Sequence, residues 1–320
     1  MCGIFGMVRA TDDPEPARAS RVFAALGHLA QQRGRDAAGF ALVTHRSGPA
    51  APPPPTDAAC RHEVQLGDCL MVKDTRPWDD VWHAGYLPAL DQAHVALGHT
   101  RHASQGAPDA LANAAPLVAG AGLIGTHNGD LDIDDLVGRL PYELPSRQGD
   151  TDSEVLCLAL DRVRDDLSAV CGLLSTMRGP AALAWVDRGR PHLVFLARAA
   201  LCPLAVARDR AGNLYWASSP AWFRLLDERS GGRLNLRAEP VREGVLLAVA
   251  AGEVPTVAAE RSFIPVARPG DAQRFPSIWT GLDARDVTSF RAIARHRIAD
   301  ASDPDQHPRS AAATATCQKE

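Results

Sequence analysis

The sequence lacks the features of a nucleic-acid-binding or membrane protein. Its 320 residues carry 34 Lys and Arg against 38 Asp and Glu, a formal net charge of -4, and they contain no long basic run. No segment reaches the about 20 consecutive apolar residues of a membrane span, and the N-terminus has no basic stretch followed by a long apolar one. We therefore expect no nucleic acid and no membrane as partners, and a cytoplasmic location.

The cysteines also lack the pattern of a disulfide framework or a metal site. There are seven, an odd number, and no two form a Cys-x-x-Cys pair. We expect no metal and no cofactor. Cys157 and Cys171 lie in apolar runs, where cysteine acts as a small hydrophobic residue. Cys2 differs because only Met1 precedes it.

The pattern of apolar residues predicts an α+β fold. Residues 2–8 form an apolar, glycine-containing run that predicts a strand, and residues 14–32 predict a helix with a broad apolar face. Runs of short strands with few helices favour a layered α+β domain over alternating βαβ units. Further strands are predicted at residues 40–43, 94–98, 123–127, 181–186, 192–197, 204–207, 214–217 and 245–249, and further helices at 133–139, 153–165 and 167–177.

The chain divides into one domain over residues 2–258, a C-terminal extension over 259–300, and a tail over 301–320. The tail is small and polar, which predicts disorder. A proline-rich stretch at residues 49–56 predicts an exposed loop within the domain. Residues 286–299 predict a basic amphipathic helix, which we interpret as a solvated helix at the domain edge rather than a partner-docking one.

Removal of Met1 would give Cys2 a free α-amino group beside its own thiol. An α-amino group has a pKa near about 8, so part of it is unprotonated at neutral pH and can accept the thiol proton. One residue would then supply both a nucleophile and its base. Gly3 has no Cβ, and we expect this to leave room for a substrate.

Two loops that follow predicted strands carry polar residues suited to amide chemistry. Arg101 lies in LGHTRHASQG, where its guanidinium suits a carboxylate, although a surface arginine would fit equally. Asn128 and Gly129 lie in THNGD and form a turn dipeptide. In a thiol amidase the same pair suits an oxyanion hole.

A third polar segment, GDTDSEV, precedes a predicted helix. Its candidate N-cap is Asp150, Thr151, Asp152 or Ser153, with Glu154 as the capping-box partner of Thr151. Asp152 additionally suits a substrate ammonium group. Together with Arg101 it would supply the two opposite charges that recognise a free amino acid.

Taken in order, MCGIFG, QQRGRDAAG, GHTRHASQG, THNGD and DTDSEV resemble the signature segments of the class II glutamine amidotransferases, the N-terminal-nucleophile family. The resemblance runs from residue 2 to about residue 250. It implies a four-layer αββα sandwich with two antiparallel sheets. It also implies Cys2 as the nucleophile, its own amine as the base, and Asn128 and Gly129 as the oxyanion hole.

The same resemblance implies the remaining roles in the site. Arg101 matches the arginine that binds the glutamine α-carboxylate, and Asp152 matches the aspartate that holds the substrate amino group. Thr100 and His102, which flank Arg101, are taken as further substrate-binding residues. The residues that match a site-organising segment are Arg33, Gly34 and Asp36. The implied reaction is release of ammonia from glutamine, followed by hydrolysis of a γ-glutamyl thioester on Cys2.

The sequence departs from the family at positions that concern the ammonia acceptor. The glucosamine-6-phosphate synthase branch has tryptophan and histidine where this chain has His102 and Ala115. The pieces QRGRDAAG and DSEV resemble the phosphoribosylpyrophosphate amidotransferase branch more, but no phosphoribosyl-binding motif follows. Neither branch is assigned from these residues.

Three hypotheses follow. The favoured one is a stand-alone glutaminase subunit that passes ammonia to a synthase or transferase on a separate chain, because no second domain fits after residue 258. The second is an amidohydrolase that removes a γ-glutamyl group from a biosynthetic intermediate. The third is a non-enzymatic regulatory or assembly subunit, against which the intact set of site residues argues.

Overall fold

The computed structural model describes residues 2–44, 61–120 and 122–274. Within these residues lie an eight-stranded and a six-stranded antiparallel sheet. The strands are β1 (Gly3–Val8), β2 (Ala37–Thr44), β3 (Arg61–Leu66), β4 (Cys69–Asp74), β5 (Ala93–Arg101), β6 (Leu117–Ala119), β7 (Leu123–Gly129), β8 (Ala181–Asp187), β9 (Leu193–Arg198), β10 (Ala205–Arg208), β11 (Leu214–Ala217), β12 (Arg237–Pro240), β13 (Val245–Ala250) and β14 (Thr256–Ser262).

The helices cover the outer faces of the two sheets. They are α1 (Pro16–Ala30), α2 (Trp78–Val81), α3 (Leu87–Gln92), α4 (Ile133–Arg139), α5 (Asp152–Val163), α6 (Leu167–Thr176), α7 (Pro220–Arg229) and α8 (Asp271–Arg274). The strand order is β12-β10-β11-β1-β5-β2-β4-β3 in the first sheet and β14-β13-β9-β8-β7-β6 in the second. Strands β1 and β5 therefore occupy the middle of the first sheet.

The alternation of side chains along β1 explains the layers. Ile4 and Val8 point into the core between the two sheets, whereas Phe5 and Met7 point into the core beneath the helices of the first sheet. In that outer core Phe5 packs on Phe23 of α1, with ring centroids 5.1 Å apart. A third core lies between the second sheet and α4, α5 and α6. The layers are thus α, β, β, α, which confirms the predicted fold class.

Every strand and helix predicted within the described residues is present. β11 and α4 have the predicted ends, and the other elements have shifted ends. The helix predicted at 14–32 begins later, at Pro16, where a proline fits the first turn, and ends at Ala30. Most of the elements that the sequence did not predict are short or lie at sheet edges, but β4 has six residues inside the first sheet and α7 has ten. The full set is β3, β4, β6, β12, β14, α2, α3, α7 and α8. The loop predicted at 49–56 and the helix predicted at 286–299 lie outside the described residues.

Residue 258, the predicted end of the domain, lies inside β14. This strand pairs antiparallel with β13 from Val245↔Ser262 to Ala250↔Thr256. Its residues are mostly exposed because it is the edge strand of the second sheet, and this exposure removes the apolar signal that the sequence analysis relied on. The sheet therefore continues to Ser262, while the rest of the proposed division stays a prediction.

In the part of the chain that the structure describes, no helix is both long enough and apolar enough to cross a membrane.

Candidate active site

Cys2 lies at the leading end of β1 in the middle of the first sheet. Its side chain is 9% exposed. The thiol sulfur accepts a hydrogen bond from the backbone N–H of His102 at 3.4 Å. The carbonyl oxygen of Cys2 accepts from Arg33 Nε at 3.1 Å. Both ends of the residue are therefore held in place by the protein.

Burial is the main influence on the Cys2 thiol and raises its pKa. The positive chain terminus, the His102 N–H and Arg101 lower the pKa, whereas Asp152 raises it. Because the net effect is a raised pKa, the thiol stays protonated at neutral pH. A nearby base is then needed for nucleophilic attack.

The residues next to Cys2 and Arg101 have a packing role that the sequence did not reveal. A Cβ on Gly3 would lie 2.7 Å from Thr100 Oγ1 and 2.9 Å from the Ala30 carbonyl oxygen. The glycine therefore allows α1 to approach the sheet, which is a different reason from the predicted space for substrate. Thr100 is fully buried and donates to Ala30 O at 2.8 Å. Its side chain lies on the helix face, and this placement argues against the predicted contact with substrate.

The predicted site-organising segment packs against the loop that follows β5. Asp36 N donates to Arg101 O at 3.0 Å, and Asp36 Oδ2 accepts from Ala103 N at 2.7 Å. A Cβ on Gly34 would lie 2.2 Å from the carbonyl carbon of Arg101, so only glycine fits. Arg33, Gly34 and Asp36 thus contact the backbone of residues 2 and 101–103 directly.

Arg101, at the end of β5, organises the loop that it begins. We call residues 102–108 the 102–108 loop. Nη1 donates to the carbonyls of Ala107 and Pro108 at 2.9 and 3.4 Å. Nη2 donates to those of Gln105 and Gly106 at 2.8 and 3.2 Å. Arg101 is 4% exposed. The 102–108 loop wraps around its guanidinium beside the thiol.

Asn128 and Gly129 end β7, the strand of the second sheet that contacts β1 and β5. Asn128 is fully buried, and neither its Nδ2 nor its Oδ1 has a hydrogen-bond partner among the described residues. A Cβ on Gly129 would lie 2.2 Å from His127 Nε2 and 2.2 Å from Pro180 O. The dipeptide is therefore tightly packed, yet its amide side chain is available to bind another group.

Asp152 begins α5 and is 4% exposed. Its Oδ2 accepts from Leu131 N at 2.8 Å and its Oδ1 from Ser153 N at 2.8 Å. Thr151, one of the four predicted candidates, is the N-cap, since its Oγ1 accepts from Glu154 N at 3.2 Å. The Glu154 carboxylate accepts from the N–H groups of Gln148 and Gly149, both at 2.7 Å, instead of from the N-cap residue. The polar segment before α5 is therefore fixed by its own helix.

Two buried histidines join the sheets next to the site and were missed by the sequence analysis. His99 Nε2 lies 3.1 Å from the carbonyl oxygen of His127, and His127 Nδ1 lies 3.0 Å from Ser153 Oγ. Burial lowers the pKa of both, that of His99 to about 3. Both are therefore neutral at physiological pH. The sequence offered no signal for them beyond their position next to predicted site residues.

Gln105 and Asn113 were also missed, although they tie the 102–108 loop to its surroundings. Gln105 Nε2 donates to Asp130 Oδ1 and to Leu131 O, both at 2.8 Å. Asn113 Nδ2 donates to Ala107 O at 3.1 Å and to Asp150 Oδ1 at 2.6 Å. Their partners are distant in sequence, so only the folded chain reveals these roles.

The relatives found by sequence are amidotransferases. No protein-family model matches the chain. A glutamine–fructose-6-phosphate aminotransferase of Pyrobaculum aerophilum is 29% identical over 263 residues, which cover 79% of this chain and 37% of the relative. One of Chlamydia pneumoniae is 26% identical over 230 residues, which cover 70% and 33%.

The fold is shared with solved amidotransferases. The glutamine phosphoribosylpyrophosphate amidotransferase of B. subtilis, complexed with ADP and GMP, matches 82% of this chain with a TM-score of 0.55 and 18% identity. A structure described as the allosteric regulatory enzyme of purine biosynthesis matches 82% with a TM-score of 0.57 and 20% identity.

The sequence relatives and the shared fold together support a class II glutamine amidotransferase domain in this chain. The chain spans 37% or less of the curated relatives that we describe and 49% of each solved chain. The structural neighbours share the fold of this chain.

Proposed function

We propose that the domain hydrolyses the side-chain amide of glutamine to glutamate and ammonia, with Cys2 as nucleophile. The observation that carries the proposal is the fully buried Asn128 amide, which has no hydrogen-bond partner among the described residues. A buried amide without partners costs free energy, on the order of 1–3 kcal/mol. A developing oxyanion on a substrate would provide the missing acceptor for Nδ2.

The first half of the reaction uses the two halves of Cys2. The unprotonated α-amine, exposed after removal of Met1, accepts the thiol proton, and the sulfur attacks the amide carbon. Negative charge forms on the amide oxygen, where Asn128 Nδ2 and the Gly129 N–H stabilise it. The carbon–nitrogen bond then breaks, and the leaving nitrogen takes the proton from the amine and departs as ammonia.

The second half regenerates the enzyme. Water, deprotonated by the same amine, attacks the γ-glutamyl thioester, and the carbon–sulfur bond breaks to release glutamate. The raised pKa of the Cys2 thiol favours a sulfur that regains its proton at the end of the cycle.

Substrate selection would come from two opposite charges near the thiol. Arg101 and Asp152 both act electrostatically on Cys2, so both lie near the reacting atom. Arg101 would attract the α-carboxylate of glutamine and Asp152 its ammonium group. The four carbonyl bonds of Arg101 fix its charge beside the site, and a substrate carboxylate would have to reach the remaining N–H or displace a loop carbonyl.

The test is glutamine hydrolysis by protein whose N-terminal residue is shown by mass spectrometry to be Cys2. We expect ammonia release by the wild type and none by Cys2→Ala. A form in which an extra residue remains before Cys2 keeps the thiol but lacks the adjacent amine, and it should lose most of the rate. Hydrolysis by Cys2→Ala at the wild-type rate would overturn the proposal.

A second candidate is hydrolysis of a different γ-glutamyl compound. The observation that favours it is His102, whose exposed side chain follows the backbone N–H that bonds the thiol. Rates on a panel of γ-glutamyl amides, compared with glutamine, decide between the two. Faster hydrolysis of an amide with a bulky leaving group would favour the second candidate.

Transfer of the ammonia to a synthase or transferase on a separate chain stays a prediction. Co-purification of such a partner, with ammonia-dependent product formed from glutamine, would support it. If Cys2→Ala left the biological output unchanged, a non-enzymatic regulatory or assembly role would be favoured instead.

A further inference from the structure

We infer that Arg268 is a positioning residue for the 102–108 loop and acts on that loop through Asp130. The two oxygens of Asp130 have separate donors. Gln105 Nε2 donates to Oδ1 at 2.8 Å, and Arg268 Nη2 donates to Oδ2 at 2.7 Å. Asp130 thus joins the loop that begins at the thiol to a residue beyond the predicted end of the domain.

The loop end of this chain of contacts is well defined. The Gln105 side chain reaches outward to Asp130 and Leu131, while its backbone carbonyl accepts from Arg101 Nη2 at 2.8 Å. The 102–108 loop is therefore held from inside by Arg101 and from outside by Asp130. Because Asp130 directly follows Gly129, a shift of Asp130 would disturb both the loop and the proposed oxyanion site.

The other end is equally well held. Arg268 donates from its backbone N to Asp271 Oδ2 at 3.0 Å and from Nε to the same oxygen at 3.1 Å. Asp271 is 2% exposed. This pairing fixes the guanidinium, so that Nη2 is presented to Asp130 with little remaining freedom.

The segment that carries Arg268 is packed onto the domain. Phe263 belongs to the core of the second sheet, and Gly179 N donates to Val266 O at 2.9 Å. Gly179 has φ +123°, and a Cβ there would lie 2.4 Å from the Asp130 carbonyl oxygen. The segment, the turn at Gly179 and Asp130 therefore meet at one place.

Burial distinguishes this ion pair from an ordinary surface pair. The side chains of Arg268 and Asp130 are 24% and 21% exposed, compared with 77% and 49% for Arg242 and Glu260. Exposed pairs contribute little to the positions of other groups because water and salt screen them. Arg242 is therefore a matched control. It also forms an ion pair with a carboxylate, but this pair is exposed and its partner, Glu260, lies on β14.

The first test compares steady-state glutamine hydrolysis by Arg268→Ala, Arg268→Lys, Arg242→Ala and the wild type. We expect Arg268→Ala to raise KM about tenfold, with kcat within about twofold, because the loop is less well placed to bind substrate. Lysine should restore most of the affinity through a single bond to Asp130, and Arg242→Ala should match the wild type.

A double variant tests the route of the effect. If Arg268 acts through Gln105, Arg268→Ala should add little to the KM of Gln105→Ala. Fully additive effects, or a fall in stability with unchanged KM, would overturn the inference.

The inference rests on the proposed function for its substrate. The second test does not depend on the reaction, so it can fail or succeed independently of that function. Amide hydrogen exchange in peptides covering residues 102–108 should be faster in Arg268→Ala than in the wild type or Arg242→Ala. Equal exchange rates would overturn the role of Arg268. If the wild type does not hydrolyse glutamine, but Arg268→Ala still shows faster exchange than the wild type, only the proposed function is overturned.

Discussion

The two sheets contribute different kinds of groups to the candidate site. On the first sheet, the Arg101 guanidinium is bonded to four loop carbonyls, and the thiol of Cys2 accepts from His102 N. On the second sheet, the Asn128 amide has no hydrogen-bond partner among the described residues. The Arg101 guanidinium therefore holds the structure of its own loop, whereas the Asn128 amide is open to a ligand. Removal of the guanidinium should cost stability, and removal of the amide should cost rate.

Asn128→Ala should give the largest effect, and on rate alone. Loss of one oxyanion donor typically lowers kcat by about 100- to 1000-fold, whereas the folded protein loses no hydrogen bond. We expect kcat to fall by that factor with KM and the denaturation midpoint nearly unchanged. Steady-state kinetics and urea unfolding measure both quantities. A destabilised variant with normal kcat would show that Asn128 supports the fold and not the reaction.

Arg101→Ala should lower stability as well as substrate binding. Loss of a buried charged donor to four carbonyls should lower the free energy of unfolding by about 2–4 kcal/mol. Arg101→Lys keeps the charge but not the planar fork, so it should recover less than half of the stability. Urea unfolding of both variants checks this. A fully stable Arg101→Ala variant would mean that the loop does not depend on the guanidinium.

His99, which joins the two sides, should make the protein sensitive to acid. Its pKa is lowered to about 3 in the folded state, so unfolding releases a histidine that takes up a proton more readily. The folded protein therefore keeps its full stability above the pKa that His99 has in the unfolded chain. It loses stability as the pH falls from that value toward the pKa of His99 in the folded state. Between pH 7 and pH 5 the loss from this residue is about 2 kcal/mol.

His99→Gln should therefore lose less stability than the wild type over that interval, as measured by urea unfolding at both pH values. His192→Gln, which replaces an exposed histidine, serves as the control and should follow the wild type. Parallel curves for all three proteins would contradict the assignment.

Thr151→Ala should give the smallest effect. It tests whether the start of α5 positions Asp152 for substrate binding. Loss of the N-cap should cost about 1 kcal/mol and loosen the helix start that carries Asp152, so that KM rises a few-fold. Asp132→Ala removes the N-cap of α4, where Oδ1 accepts from Asp135 N at 3.0 Å. This control should lose similar stability without a change in KM. Equal KM values for Thr151→Ala and Asp132→Ala would indicate that Asp152 does not bind the substrate.

Sequence alone predicts the parts of the molecule that depend on local pattern. The apolar run of β1, the apolar face of α1 and Thr151 as one of four candidate caps were predicted from neighbouring residues, and all are present. The family resemblance supplied the layered fold that the short strands only suggested.

The parts that sequence did not predict depend on distant contacts or on exposure. Gln105 meets Asp130 and Asn113 meets Asp150 only because separate loops converge. The packing of Gly3 and Thr100 against the end of α1 could not be predicted from the sequence. β14 was missed because an exposed edge strand lacks the apolar signal.

We infer that Cys2, as the first residue of the mature chain, forms a covalent bond with the γ-glutamyl group. Mass spectrometry of the protein, mixed with glutamine and quenched in acid, tests this most directly. We predict that the peptide beginning at Cys2 gains the mass of one glutamyl group, and that mild base or hydroxylamine removes it. An unmodified Cys2 peptide in protein that releases ammonia, or a glutamyl group on another residue, would contradict the account.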